Sequence, residues 1–318
     1  MKDVSVIIVN YNTRALCAQA IGAVSRAARG VGVEVLVVDN SSRPEERYSA
    51  ELPTLPIRVF SGVENRGFGH ACNIGARQAA GRYVLFLNSD TILDDGALDR
   101  VIDYMDRQSA DNADGGSAPD GGGTHGGDGG GSGGVSAHGG SAPDGAIGVL
   151  GIKMLFSDGA FDHSCKRGFP TPLNALYYYA GLDLRFPKSR RFGGYHLTYL
   201  NPDETCDVDS VSGSFLLMPR ALFLRLGGFD EAFFMYGEDL DLCYRAKAAG
   251  FRVVYFAGAS MLHLKGQSGL LTQNPAVLRA FYDSMLLFYE KHYREKYGAV
   301  TAWLVRTAIR AKYRLEAL

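Results

Sequence analysis

Short apolar runs alternate with helix-like segments between residues 4 and 87 of the chain. The runs are Val4–Val9, Val33–Val38, Ile57–Phe60 and Tyr83–Leu87. They are continuous and rich in β-branched residues, which is typical of strands that are buried on both faces. Helical patterns begin near Thr13, a residue type that caps helices, and at Gly69. Strands that alternate with helices predict an α/β fold with a mostly parallel sheet covered by helices.

The pattern resumes after residue 146 and ends in helices. Three apolar runs predict further strands, at Ile147–Phe156, Phe215–Met218 and Val253–Phe256. Asp239–Ala249 predicts a helix that Gly250 ends. Two long helical patterns, Pro275–Tyr297 and Ala299–Leu318, predict a helical extension at the C-terminus.

Residues 111–145 consist mainly of Gly, Ser, Ala, Asp and Pro, and a six-residue stretch of them nearly repeats. This composition buries too little apolar surface to offset the entropy of ordering. We therefore predict a flexible insertion, with bounds at 107 and 146. Its histidines, His125 and His138, are metal-ligand types, but a solvated linker is the favoured interpretation.

Composition narrows the function classes. The chain has 318 residues, 46% of them hydrophobic, and a net charge of -1, so nothing indicates binding to nucleic acid. Five scattered cysteines without a CxxC pair are typical of reduced thiols in a cytosolic protein. The first apolar run is too short for a signal peptide, and no run reaches the length of a transmembrane helix. We therefore expect a cytoplasmic protein.

Polar residues lie at the ends of three predicted strands: Asn10, Asp39 and Asp90. Ligands of parallel sheets bind at the carboxyl ends of strands, so we expect all three side chains to face one crevice. In Asn88-Ser89-Asp90, a carboxylate at a strand end can hold Mg²⁺ together with phosphate oxygens. An Asp after a strand is also common as a turn residue, and the tripeptide alone leaves both interpretations open.

Three acids, Glu238, Asp239 and Asp241, crowd the start of the predicted helix after Gly237. They can pair with the helix dipole, or one of them can act as a general base whose pKa its neighbours raise. His263 follows the last predicted strand, where an imidazole is usually structural but can also complete a metal site with Asp90.

The loop Asn65–His70 precedes a helix, and its glycines allow a ligand to approach the backbone closely. It lacks the third glycine of the dinucleotide fingerprint, and the chain has no Walker A motif. An ordinary loop that leads into a helix explains the segment equally well.

Taken in order, these segments resemble the inverting family 2 glycosyltransferases of the GT-A fold, more narrowly their bacterial rhamnosyltransferase-like branch. The matching segments are residues 4–12, 33–42, 64–91, 212–251 and 263–268. The resemblance implies a nucleotide-sugar-binding half at 1–106 and an acceptor-binding, catalytic half at 147–270. The C-terminal helical region would then occupy residues 271–318.

The resemblance also implies a donor site for a nucleotide diphosphate-sugar. Asp39 would contact the base, with Asn10 and Tyr11 lining its pocket, and Asn65 and Asn73 would border the nucleotide. The remaining donor-site residues would be Ser89, Asp90, Gly213 and Ser214, the last two near the donor sugar or the acceptor.

For the chemistry, the resemblance implies Asp239 as catalytic base, with Glu238 orienting it or contacting the acceptor. A divalent metal, Mg²⁺ or Mn²⁺, would be held by Asp90 and His263. Asn88 replaces the first Asp of the family's DxD motif, which predicts weaker metal binding.

The leading expectation is transfer of rhamnose from dTDP-rhamnose to a glycan or lipid-linked acceptor in cell-surface polysaccharide synthesis. Residues 299–318 mix basic and apolar side chains, so this tail either packs as a terminal helix or contacts the cytoplasmic face of the inner membrane. Two other functions compete: a non-catalytic scaffold of the same fold, and a nucleotide-sugar pyrophosphorylase. The second would need a Gly-rich basic loop after the first strand, where Asn10–Arg14 stands instead.

Overall fold

A computed structural model of the chain describes residues 2–49, 55–113, 145–264 and 274–317. Most of the predicted insertion, both of its histidines and the segment 265–268 lie outside these residues. The helix before the insertion runs as far as Ala113, which is past the bound predicted at 107. Within it, Arg107 donates a 3.0 Å hydrogen bond from Nε to Asp103, four residues earlier, and this pair supports the helical turn.

A central sheet organises the molecule, with strands in the order β3-β2-β1-β4-β10-β6-β11-β5. The strands of the described residues are β1 (Val4–Asn10), β2 (Val33–Asp39), β3 (Ile57–Ser61), β4 (Tyr83–Asn88), β5 (Thr91–Leu93), β6 (Ile147–Leu155), β7 (Lys166–Arg167), β8 (Cys206–Asp207), β9 (Ser210–Val211), β10 (Phe215–Pro219) and β11 (Arg252–His263). β8 pairs with β11 in the central sheet, whereas β7 and β9 form a separate two-stranded sheet. β3, β2, β1 and β4 are mutually parallel, and Asn10 lies beside Asp39 in the register. The predicted α/β fold is thereby confirmed.

β10 departs from the parallel pattern because it runs antiparallel to both β4 and β6. Phe215, at the start of β10, therefore pairs with Leu87 near the end of β4. The loop that leads into β10 consequently lies at the same edge of the sheet as the carboxyl ends of β1, β2 and β4.

Helices cover the sheet and extend beyond it. They are α1 (Arg14–Ala27), α2 (Phe68–Gln78), α3 (Ala97–Ala113), α4 (Pro172–Tyr179), α5 (Leu182–Arg185), α6 (Arg220–Arg225), α7 (Glu238–Ala248), α8 (Pro275–His292) and α9 (Arg294–Glu316). α2 packs closely on β1, because a Cβ atom added at Gly75 would lie 2.7 Å from Cγ2 of Ile7. This close packing fixes the position of the loop before α2.

The last strand, β11, and the two terminal helices, α8 and α9, complete the fold. β11 is longer than predicted: it passes an irregularity between Phe256 and Ser260 and ends at His263, so that residue closes the strand instead of following it. α8 and α9 pack on α7 through a second apolar cluster that includes Phe233, Phe288 and Tyr293. Among the helices of the described residues, none has the length and hydropathy to cross a bilayer.

Candidate active site

Asn10 and Asp39 form a buried polar pair at the ends of β1 and β2. Asn10 Nδ2 donates a 2.8 Å hydrogen bond to Asp39 Oδ2, and the two residues are 0% and 1% exposed. The backbone N–H groups of Ser41 and Tyr48 also donate to this carboxylate, at 3.0 and 2.5 Å. Asp39 therefore holds the loop after β2 in place, while the neighbouring Tyr11 is exposed.

Thr13 joins this pair to the end of β4. The residue stands at the start of α1, as predicted, but its side chain makes no capping hydrogen bond. Its hydroxyl bonds instead to Asn10 Oδ1 at 3.2 Å and to Ser89 Oγ at 3.0 Å. The polar residues at the ends of β1, β2 and β4 thus form one connected edge.

Asn65 and Asn73 differ in their surroundings. Asn65 is exposed, and its Oδ1 accepts hydrogen bonds from Gly67 N–H and Asn40 Nδ2, both at 3.2 Å. Asn73 is buried: its Nδ2 donates to the Phe229 carbonyl and to Glu231, and its Oδ1 accepts from Phe229 N–H at 2.9 Å. These contacts commit the Asn73 amide to holding the loop before α7.

His263 lies between two buried carboxylates. Its Nε2 is 3.5 Å from Asp90 Oδ1, and its Nδ1 is 3.5 Å from Asp162 Oδ2. β11 brings it there, because His263 pairs with Thr91, the residue after Asp90. Asp162 is itself oriented by Ser164, whose N–H and hydroxyl donate to its other oxygen.

The loop of residues 212–214 connects the end of β4 to the start of α7. Asn88 donates from its backbone N–H to the Ser214 carbonyl at 3.1 Å and from Nδ2 to Ser214 Oγ at 3.0 Å. One residue earlier, the backbone N–H of Gly213 donates to Asp239 Oδ2 at 2.9 Å. A single backbone step therefore connects the motif at Asn88 to the start of α7.

Asp239 is buried and held by three donors. Arg167 Nη2 donates to Oδ2 at 2.6 Å together with Gly213 N–H, and Leu240 N–H donates to Oδ1 at 2.7 Å. A carboxylate has about four lone-pair positions, so roughly one remains for a substrate hydroxyl. The geometry therefore suits a fixed, anionic proton acceptor.

Glu238 has a different environment from its neighbour. It is 6% exposed, and its Oε2 has no hydrogen-bond partner among the described residues. Burial raises the pKa of Glu238, and the charge of Asp239 raises it further. Two adjacent carboxyl groups with contrasting environments are a usual sign of divided acid and base roles.

Asp241, the third acid, anchors α7 to α8. Its side chain is fully buried, and it accepts hydrogen bonds from Arg245 Nε and His292 Nε2 and pairs with Lys291 Nζ, each at 2.7 Å. Burial alone would raise the pKa of Asp241, but His292, Arg245 and Lys291 outweigh it and lower the pKa to about 2. Asp241 is therefore structural.

Sequence reasoning missed Asp162 and Arg167. Both lie between β6 and β9, where neither a periodic pattern nor a motif marks them. Arg167 reaches Asp239 because β7 pairs antiparallel with β9, which sets Arg167 opposite Ser210. Only this long-range pairing reveals its role.

Two models of known protein families match the chain. The model for Glycosyl transferase family 2 matches residues 5–128, and that for Glycosyltransferase like family 2 matches residues 159–279. Together they cover more than half of the chain. The chain belongs to the family 2 glycosyltransferases, and it is a glycosyltransferase.

Within the family the chain resembles rhamnosyltransferases. It is 26% identical over 289 residues to the N-acetylglucosaminyl-diphospho-decaprenol L-rhamnosyltransferase of Mycobacterium tuberculosis. That match covers 87% of this chain and 81% of the relative.

Solved structures share the fold. Residues 1–349 of Staphylococcus aureus TarS, in complex with UDP-GlcNAc, match with a TM-score of 0.53 and 18% identity; the match covers 91% of this chain and 65% of that one. The Pyrobaculum calidifontis mannosyltransferase PcManGT, in complex with GDP-Man and Mn²⁺, matches with a TM-score of 0.51 and 15% identity. This match covers 99% of this chain and 71% of that one.

Proposed function

We propose that this enzyme inverts the anomeric configuration as it transfers a sugar from a nucleotide diphosphate-sugar to a glycan or lipid-linked glycan acceptor. The leading donor is dTDP-rhamnose, and the setting is synthesis of cell-surface polysaccharide. The name of the mycobacterial relative supports rhamnose as the sugar and a lipid-linked acceptor, and a match to the O-antigen biosynthesis protein RfbC of Myxococcus xanthus supports the setting. The five free cysteines are consistent with a reducing compartment, which supports a site on the cytoplasmic side of the membrane.

One observation carries the proposal: Gly213 and Ser214 connect the buried carboxylate of Asp239 directly to Asn88. This arrangement holds a proton acceptor beside the strand end where the donor's diphosphate would bind. An acceptor hydroxyl between them would meet the base on one side and the anomeric carbon on the other. Alignment of this kind supplies a large part of an enzyme's rate advantage.

The residues present fit a divalent metal. Two ligands of one ion at about 2.1 Å each lie roughly 3 to 4 Å apart, and Asp90 Oδ1 is 3.5 Å from His263 Nε2. Asp162 on Nδ1 would fix the imidazole, as carboxylates do behind metal-bound histidines.

The described residues contain no group of three or more His, Cys, Asp or Glu side chains that could hold an ion. Phosphate oxygens and water would therefore complete the coordination, which suits Mg²⁺ or Mn²⁺. When bound, the ion neutralises the charge that develops on the departing diphosphate.

The reaction is one displacement. The acceptor oxygen forms a bond to the anomeric carbon as the bond from that carbon to the diphosphate oxygen breaks, and Asp239 accepts the hydroxyl proton. Arg167 and Gly213 hold the carboxylate in position throughout. Glu238, whose pKa is raised by burial and by the charge of Asp239, contacts the acceptor or orients the base. Attack opposite the leaving group inverts the configuration.

The side chains exposed on α9 support the proposed contact with a membrane. Val300, Trp303 and Leu304 are 74%, 64% and 54% exposed on α9. Arg310 and Arg314 are also exposed on this helix. An outer helix face that combines apolar and basic side chains is typical of helices that lie on anionic membranes.

Calorimetry with a panel of nucleotide diphosphates and nucleotide-sugars tests the donor assignment. We expect one nucleotide to bind with Mn²⁺ or Mg²⁺, less tightly with chelator, and less tightly to Asp90→Ala. If the folded protein binds no member of the panel, the non-catalytic scaffold becomes the better account.

A further inference from the structure

Exposed apolar side chains concentrate on α4 and α5. Five of the fourteen large hydrophobic side chains exposed in the described residues lie in this short segment. They are Leu173 (54% exposed), Leu176 (61%), Tyr179 (42%), Leu184 (81%) and Phe186 (46%). Single exposed apolar residues are ordinary on soluble proteins, but a cluster within fourteen residues of sequence marks an interaction surface.

The same segment carries several positive charges. Arg185, Lys188, Arg190 and Arg191 are all exposed, and none forms an ion pair with a carboxylate of the described residues. Arg190 and Arg191 instead lie over the rings of Tyr199 and Tyr177. The only acid in the segment 172–191 is Asp183, which is buried.

Basic residues elsewhere on the surface are commonly neutralised. Arg82 pairs with Asp106, and Lys247 pairs with Asp209. We define the α4–α5 surface as the five apolar and four basic side chains named above.

We propose that the α4–α5 surface docks the enzyme on an anionic lipid bilayer. Apolar side chains such as Leu184 and Phe186 would enter the boundary between head groups and acyl chains. The adjacent basic side chains would meet anionic head groups, each contributing to binding while it lies near the surface. Both kinds of side chain are exposed within the five residues 184–188.

The position of this surface relates it to catalysis. A cleft of about 530 Å³ separates α4 and α5 from α9, lined by Tyr178, Tyr179, Asp183, Leu184, Lys312 and Glu316 among others. The surface therefore borders a cleft whose α9 side is formed by Lys312 and Glu316. α4 begins five residues after Arg167, which holds Asp239. This step rests on the proposed function: docking on the bilayer would bring a lipid-linked acceptor close to Asp239, the proposed base.

Vesicle flotation of the full-length protein tests the proposal, with phosphatidylcholine vesicles that contain or lack phosphatidylglycerol. We expect R185E/K188E to weaken binding to anionic vesicles at least tenfold, since each cation contributes separately. L184S/F186S should weaken it by roughly tenfold, through lost apolar burial. Circular dichroism would check that both variants remain folded.

Matched changes on other faces provide the controls. Arg77 and Arg225 are exposed on α2 and α6, and Leu224 is 41% exposed, so R77E/R225E and L224S should bind as the unaltered protein does. The proposal is overturned if R185E/K188E binds unchanged, or if only W303S/L304S in α9 abolishes binding. Flotation uses no donor or acceptor, so its failure leaves the proposed transferase function intact.

Discussion

Arg167 Nη2 donates a 2.6 Å hydrogen bond to Oδ2 of Asp239, and both side chains are nearly buried, at 13% and 12% exposed. The same nitrogen donates to the Val211 carbonyl at 3.0 Å, which holds the guanidinium against β9. The proposed base is therefore a positioned anion, and the residue that positions it lies 72 residues away in sequence.

Arg167→Lys tests whether positioning matters. A lysine keeps the charge but cannot reproduce the planar geometry of the guanidinium, so kcat should fall about tenfold or more while the donor KM stays unchanged. Steady-state kinetics with both substrates would show whether kcat falls while the donor KM stays unchanged. An equal loss of kcat in Arg167→Lys and in the distant Arg225→Lys would contradict a positioning role.

Asp162→Asn tests how His263 is oriented. Loss of the carboxylate behind the imidazole should weaken metal-dependent donor binding by about 10- to 100-fold. Calorimetry with Mn²⁺ measures this without turnover. Asp158→Asn is the matched control, because Asp158 is exposed and, among the described residues, accepts a hydrogen bond only from Ala160 N–H. If both variants bind alike, Asp162 does not support a metal site.

Asn73→Ala separates a structural role from donor contact. The substitution leaves the buried N–H and carbonyl of Phe229 without partners, at a cost of about 1–3 kcal/mol in the free energy of unfolding. Urea unfolding measures this cost. Donor affinity should change little in the folded variant, and a large loss of affinity with unchanged stability would instead place Asn73 at the nucleotide.

Asp241 should make stability depend on acid pH. Its folded-state pKa of about 2 lies below the ordinary value of 3.8, so its contribution is fully present above pH 3.8 and is lost as pH falls through 2. The shift corresponds to about 2 kcal/mol. Asp241→Asn should be less stable than the unaltered protein at neutral pH, with the difference shrinking between pH 4 and pH 2. A difference independent of pH would argue against an ionised Asp241.

Local patterns were enough to predict most of the sheet. The runs at Val4–Val9 and Val33–Val38 are strands because parallel, doubly covered strands need continuous apolar sequence, and their ends place Asn10 beside Asp39. The pattern of residues also singled out Asp90, Asp239 and His263, to which the resemblance assigned roles, and the structure places Asp90 next to His263.

Other features depend on long-range pairing and were not predictable. Nothing in the sequence indicates that β10 is antiparallel or that Arg167 reaches Asp239. α4 and α5 were also missed, because their exposed apolar residues do not show the one-sided pattern of a packed helix. The role predicted for Asn73 at the nucleotide stays a prediction, and its contacts give it a structural role as well.

The central claim is that Asp239 is the catalytic base of a sugar transfer. The most direct measurement compares Asp239→Asn with the unaltered enzyme for both donor binding and single-turnover transfer. We predict that the single-turnover rate constant of transfer falls about 10²- to 10⁴-fold while donor affinity is retained. Asp209→Asn, which alters a carboxylate paired with Lys247, should retain most activity. Transfer by Asp239→Asn at the normal rate would contradict the account.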